Sequence, residues 1–123
     1  MIWLLVFIFS VLDSDVKLID QDSDRILIQN HYWAKEGKIQ EVYEHRLYAS
    51  SVRKKLGFAE GRVLLRKSNN SSLAHVIWEC EFESEEARQK DIRLLTETGE
   101  FEEIMDKMGT LIDKFERATY SLK

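Results

Sequence analysis

Proline is absent from this 123-residue chain, cysteine occurs once and glycine only five times. Without proline, the stops between elements fall to Gly37, Gly57, Gly61, Gly99 and the Asn69-Asn70-Ser71-Ser72 run. A single cysteine, Cys80, excludes an intrachain disulfide and a cysteine-pair zinc site. It falls in an apolar strand, which makes it a packing residue rather than a nucleophile. A basic excess is missing too. Asp13, Asp15, Asp20, Asp22 and Asp24 against Lys17 account for the whole net charge of −4, and 17 acids and 17 bases remain beyond Asp24. A body this neutral has no surplus to spend on phosphates, which excludes nucleic acid as the expected partner.

Long hydrophobic runs are also scarce. The one that exists, IWLLVFIFSVL over Ile2 to Leu12, falls short of the roughly 20 residues that a membrane-spanning helix requires. No stable membrane span is expected. The run has the length of a signal-peptide core but lacks a preceding cation and a small-residue cleavage pattern. Three readings stand: a signal peptide, a start upstream of the fold, or a retained element packed on the domain. Residues 1–23 are thus read as an apolar segment with an acidic connector, and residues 24–123 as the domain. The expected location is cytoplasmic, or exported if residues 2–12 are a signal-peptide core.

What is present is a regular alternation of patterns. Arg25 to Trp33 is β-branched and aromatic, a strand. From Lys38, Ile39, Val42, Tyr43, Leu47, Val52 and Leu56 form a helical stripe, ended by Lys54-Lys55-Leu56-Gly57. Arg62 to Lys67 and Leu73 to Phe82 read as two strands. Ser84 offers an N-cap, with Glu85 and Glu86 in the first helical turn. That helix breaks at Thr98-Gly99. A second apolar stripe follows from Phe101 through Ile104, Met108 and Leu111 to Phe115, and Ala118 to Leu122 gives a short last strand. The order predicts an α+β, ferredoxin-like split βαβ domain with helices on one face of a four-stranded antiparallel sheet.

Alternation assigns the faces. Ala74, Val76, Trp78, Cys80 and Phe82 are wholly apolar and belong under the helices; His75, Ile77, Glu79 and Glu81 belong to the open face. A two-residue turn at Asn70-Ser71 would place Arg62 opposite Glu79, Leu64 opposite Ile77 and Arg66 opposite His75. On the first strand, Leu27, Gln29, His31 and Trp33 share that open face. The face is too apolar for water and too polar for a dry core, which predicts a half-polar cavity closed by a second subunit.

The candidate ligand-binding residues are therefore Gln29, His31, Trp33, Arg62, Leu64, Ile77 and Glu79. His31, His75 and Glu79 are the candidate acid–base groups, since imidazole titrates near neutrality. As a metal set they lack a motif spacing, so no metal and no cofactor is expected. His45, beside Tyr43 and Arg46, reads as a solvated helix-face residue.

Element order over residues 24–123 resembles the dimeric α+β barrel superfamily, which includes antibiotic-biosynthesis-type monooxygenases, EthD-like and NIPSNAP-like proteins and haem-degrading oxygenases. The stretch EVYEHRLYASSVRKKLGFAEGRVLLR, Glu41 to Arg66, also looks like bacterial members of that group. The resemblance implies a homodimer with sheets face to face and a small molecule held inside the barrel or between sheet and helices. Asn30 and Trp78 could match the Asn and Trp of the haem-degrading branch, but no histidine follows His75 to serve as its axial ligand. The expected function is non-catalytic small-molecule binding. The alternative is a cofactor-independent monooxygenase or isomerase acting on an aromatic or keto-type substrate.

Overall fold

In the computed structural model, residues 24–122 are described, and the three readings of residues 1–23 lie outside the described residues. Strand β1 (Ile26–Ala34) runs through the middle of the sheet and leads into helix α1 (Ile39–Lys55). Strands β2 (Arg62–Leu65) and β3 (Val76–Phe82) follow, then helices α2 (Glu85–Thr98) and α3 (Glu102–Leu111), and finally strand β4 (Ile112–Ser121). The sheet order is β2-β3-β1-β4, with every neighbouring pair antiparallel. This is the ferredoxin-like α+β arrangement that the element order predicts.

Period-two burial in β1 places Ile28, Asn30, Tyr32 and Ala34 beneath the helices. Val76, Trp78 and Cys80 from β3 join them, with Val42, Met108 and Leu111 completing the core. Ile28, Val42 and Val76 are fully buried, each contributing about 1.5–3 kcal/mol of transfer free energy.

Helix ends follow the local chemistry. Gly57, at φ 90°, closes α1 with two reversed hydrogen bonds, Gly57 N–H to the Lys54 carbonyl (3.0 Å) and Phe58 N–H to the Arg53 carbonyl (2.8 Å). Ser84 Oγ accepts from Ala87 N–H at 3.0 Å to start α2, and Gly99 at φ 72° ends it.

Three details differ from the sequence reading. The β2–β3 register is the one expected, with Arg62 opposite Glu79 and Leu64 opposite Ile77. Arg66 N–H also reaches the His75 carbonyl at 2.9 Å. The connection is nevertheless no two-residue hairpin. Pairing ends near Arg66 and His75, and Asn70 Oδ1 folds the loop by accepting from Ser72 N–H (3.0 Å) and Ser72 Oγ (2.7 Å). Secondly, β4 begins at Ile112, directly after α3, and takes in Phe115, which the helical stripe had claimed. Pairing along nearly all of β1 overrides a local helical pattern there.

Thirdly, α1 is rotated from its apparent apolar stripe. Ile39, Leu47 and Tyr48 are exposed, while Val42, His45, Arg46, Ala49, Ser50 and Arg53 are buried. His45 and Arg46 are therefore not solvated. His45 Nε2 donates to the Ile104 carbonyl at 2.8 Å, tying α1 to α3. The small Ala49 and Ser50 let the helix approach the sheet, and the two arginines reach inward on either side of them.

Candidate functional site

On the open face, the residues expected there do converge. Gln29 lies opposite Glu79 and His31 opposite Ile77. His31 Nε2 donates to Gln29 Oε1 (2.9 Å), Gln29 Nε2 donates to Glu79 Oε1 (2.8 Å), and Arg62 Nε donates to Glu79 Oε2 (3.0 Å). Arg62 Nη2 makes a second bond to the same oxygen. Burial pushes the Glu79 carboxyl up, but hydrogen bonds from Arg62 and Gln29 and the Arg62 charge outweigh it and leave the pKa below the ordinary value. Trp33 stacks near His31 and carries Lys114 Nζ 4.5 Å above its ring, while Leu64 stays exposed at the β2 edge.

His75 stands apart from this chain. Its Nδ1 accepts the Ala34 N–H at 2.9 Å, and burial, then the Arg66 charge, lowers its pKa, so the neutral acceptor form is favoured. The His31, His75 and Glu79 set does not gather: among the described residues, no three metal-ligating side chains form a group that could hold an ion.

Across the sheet lies a feature that the sequence reading missed. Helix α2 buries only Leu95, and between it, α1, α3 and the sheet there is a cavity of about 480 Å³. Leu95, Phe101, Ile104, Met105 and Met108 supply its apolar wall, and Asn30, Tyr32 and Trp78 its floor. Ile92, Met105 and Phe115 are exposed at its rim.

Charge in this cavity is lopsided. Arg46, Arg53, Arg88 and Arg117 line it, against one carboxylate, Asp91. Arg53 is neutralised by Asp91 (2.8 Å), its Nε donating to the Ala59 carbonyl (2.6 Å). Arg88 pairs with Glu85 at 3.1 Å. Arg117 Nε donates to Asn30 Oδ1 at 2.8 Å, a neutral partner.

Arg46, buried like Arg53, is the exception in its partners. Only 6% of the residue is exposed, and its bonds to Tyr32 Oη (3.3 Å) and Ser50 Oγ (3.5 Å) are long. Its Nε finds no acceptor among the described residues. Burial lowers its pKa, which Tyr32 only partly offsets. Its guanidinium lies 4.7 Å from the Trp78 ring centre, and Arg53 lies 5.1 Å from the same ring.

Trp78 itself is held by an indole N–H bond to the Glu60 carbonyl (3.0 Å). Asn30 and Trp78 are direct partners across β1 and β3. They share the cavity floor, and no histidine follows His75 in the sequence. One sequence signal could have exposed the cavity. Val42, Arg46, Ala49 and Arg53 recur at spacings of four, three and four, a helical face that an apolar-only stripe overlooks.

No protein-family model matches the chain, and no curated protein matches it as a relative. Solved structures do. A NIPSNAP-like domain protein from Burkholderia xenovorans superposes with a TM-score of 0.61 at 18% identity, over 80% of this chain and 84% of its own. A NIPSNAP family protein from Agrobacterium tumefaciens C58 gives 0.58 at 18% identity, covering 77% and 90%. A dimeric protein of ferredoxin-like fold from Bacteroides fragilis gives 0.61 at 10% identity, covering 80% and 96%. These likenesses establish the class: a ferredoxin-like α+β fold shared with NIPSNAP-like proteins. Among the described residues, no helix is long and apolar enough to cross a membrane.

Proposed function

We propose that the protein is a homodimeric small-molecule-binding protein, with its ligand held between sheet and helices and its open sheet face closed by a second copy. The observation that carries this reading is the cavity under α2, mostly apolar with a few polar groups converging on it, the usual character of a ligand site. The dimeric solved neighbour from Bacteroides fragilis supports the pairing, as does the half-apolar open face of Leu27, Trp33, Leu64 and Ile77. Gln29, His31, Arg62 and Glu79 then belong to the contact between copies or to the space it encloses.

Binding without catalysis is the better-supported reading. Each expected acid–base group, His31, His75 and Glu79, already has a hydrogen-bond partner within the sheet. Native mass spectrometry tests the proposal: dimer mass plus a non-covalent adduct is expected. Ile92→Trp, at the cavity rim, should remove the adduct and keep the dimer. A monomer without adduct would defeat the proposal.

A further inference from the structure

A buried cation without a counter-ion is a costly feature. Taking a guanidinium out of water is unfavourable, and proteins normally offset it with a paired carboxylate and a full set of hydrogen bonds. Arg53 has both: Asp91 at 2.8 Å and the Ala59 carbonyl at 2.6 Å. Arg46, about two turns earlier on the same face of α1, has neither. Among the described residues its hydrogen bonds are two long ones to neutral hydroxyls, the face of Trp78 lies beside it, and Nε is unpartnered.

Arg117, solvent-exposed on β4, also lines the cavity, and its side-chain hydrogen bond among the described residues goes to the neutral Asn30. A guanidinium stays charged at neutral pH even when buried. The cavity is therefore cationic around Arg46 and apolar along Leu95, Phe101, Met105 and Met108.

Resting on the binding reading above, we infer that the ligand is an amphipathic anion, a monocarboxylate whose head meets Arg46 and whose apolar body runs beneath α2 and α3. The planar fork of Arg46 suits a carboxylate, and a bidentate pair would supply the charge that the cavity lacks. The half-filled underside of α2 accounts for the apolar part: the body of the ligand completes a core that Leu95 alone does not fill. Exposed Met105 and Ile92 at the rim (67% and 41%) mark the way in. Methionine there adapts to an apolar chain of variable shape.

The test uses the full chain and three probes of equal length: decanoate, 1-decanol and decylamine, titrated by calorimetry. Decanoate should bind about tenfold to a hundredfold more tightly than decanol, the worth of a charged hydrogen bond. Decylamine should bind more weakly than decanol. Arg46→Met should erase the preference for decanoate and preserve decanol binding. It should also leave the melting temperature of the ligand-free protein unchanged or raised, whereas a merely structural arginine would lower it. Arg46→Lys should retain part of the preference. Equal affinity of the wild type for decanoate and decanol would overturn the anion inference and leave the cavity reading standing. Binding of none of the three would overturn both.

Discussion

Gly61 and Trp78 are locked together by the absence of a single carbon. A Cβ built on Gly61 would lie 2.6 Å from Trp78 Cε2 and 2.8 Å from the Glu79 carbonyl oxygen, and the glycine sits at φ +71°. The close approach lets the indole N–H reach the Glu60 carbonyl, which fixes the ring that the two cavity arginines stack upon. Gly61→Ala should therefore combine left-handed strain with overpacking and cost about 2–4 kcal/mol in urea denaturation. A loss below 0.5 kcal/mol would mean that Trp78 is not held in this way.

The ion pair of Arg53 and Asp91 is buried, with side-chain exposures of 5% and 13%. Arg53→Met leaves Asp91 uncompensated and should destabilise the fold by about 3–5 kcal/mol, the usual result of breaking such a pair. Chemical denaturation of the variant measures this directly. Arg53→Met together with Asp91→Leu should recover much of the loss.

Acid should weaken the open-face network. Glu79 has a folded pKa below its unfolded value, so its contribution is fully present above the ordinary glutamate pKa of about 4.3 and is lost as pH falls through the lower folded value. Urea midpoints at pH 6 and pH 3.5 should therefore differ more for the wild type than for Glu79→Gln. An equal drop in both would place the acid sensitivity elsewhere.

The proposed dimerisation through the open face makes Ile77 a discriminating position. Ile77→Lys would bury an unpaired cation at the contact between copies. Sedimentation velocity at micromolar concentration should show a wild-type dimer and a variant monomer with unchanged far-UV dichroism. A wild-type monomer, or a variant that stays dimeric, would rule out that face.

Much of the fold was legible because strand pairing and alternation obey short-range rules. Opposing Arg62 to Glu79 and Leu64 to Ile77 followed from a turn centred on Asn70-Ser71, and the register holds even though the loop there is longer than the two-residue turn it was read from. The caps at Gly57, Ser84 and Gly99 are local chemistry and are equally readable. The cavity was not. Hydrophobic periodicity ranks apolar residues, so it faced Ile39 and Leu47 inward and passed over a helix whose buried side is Arg46, Ser50 and Arg53. A polar interior becomes visible only when the far strand is known to bring Tyr32, Asn30 and Arg117 to the same place.

A crystal structure of the full chain, purified without added ligand and then soaked in decanoate, tests the central claim most directly. The account predicts continuous density beneath α2 with a carboxylate within hydrogen-bond distance of Arg46. Density confined to the open sheet face beside Gln29 and His31 would contradict it. So would an α2 settled onto the sheet with Ile92 buried and no space remaining.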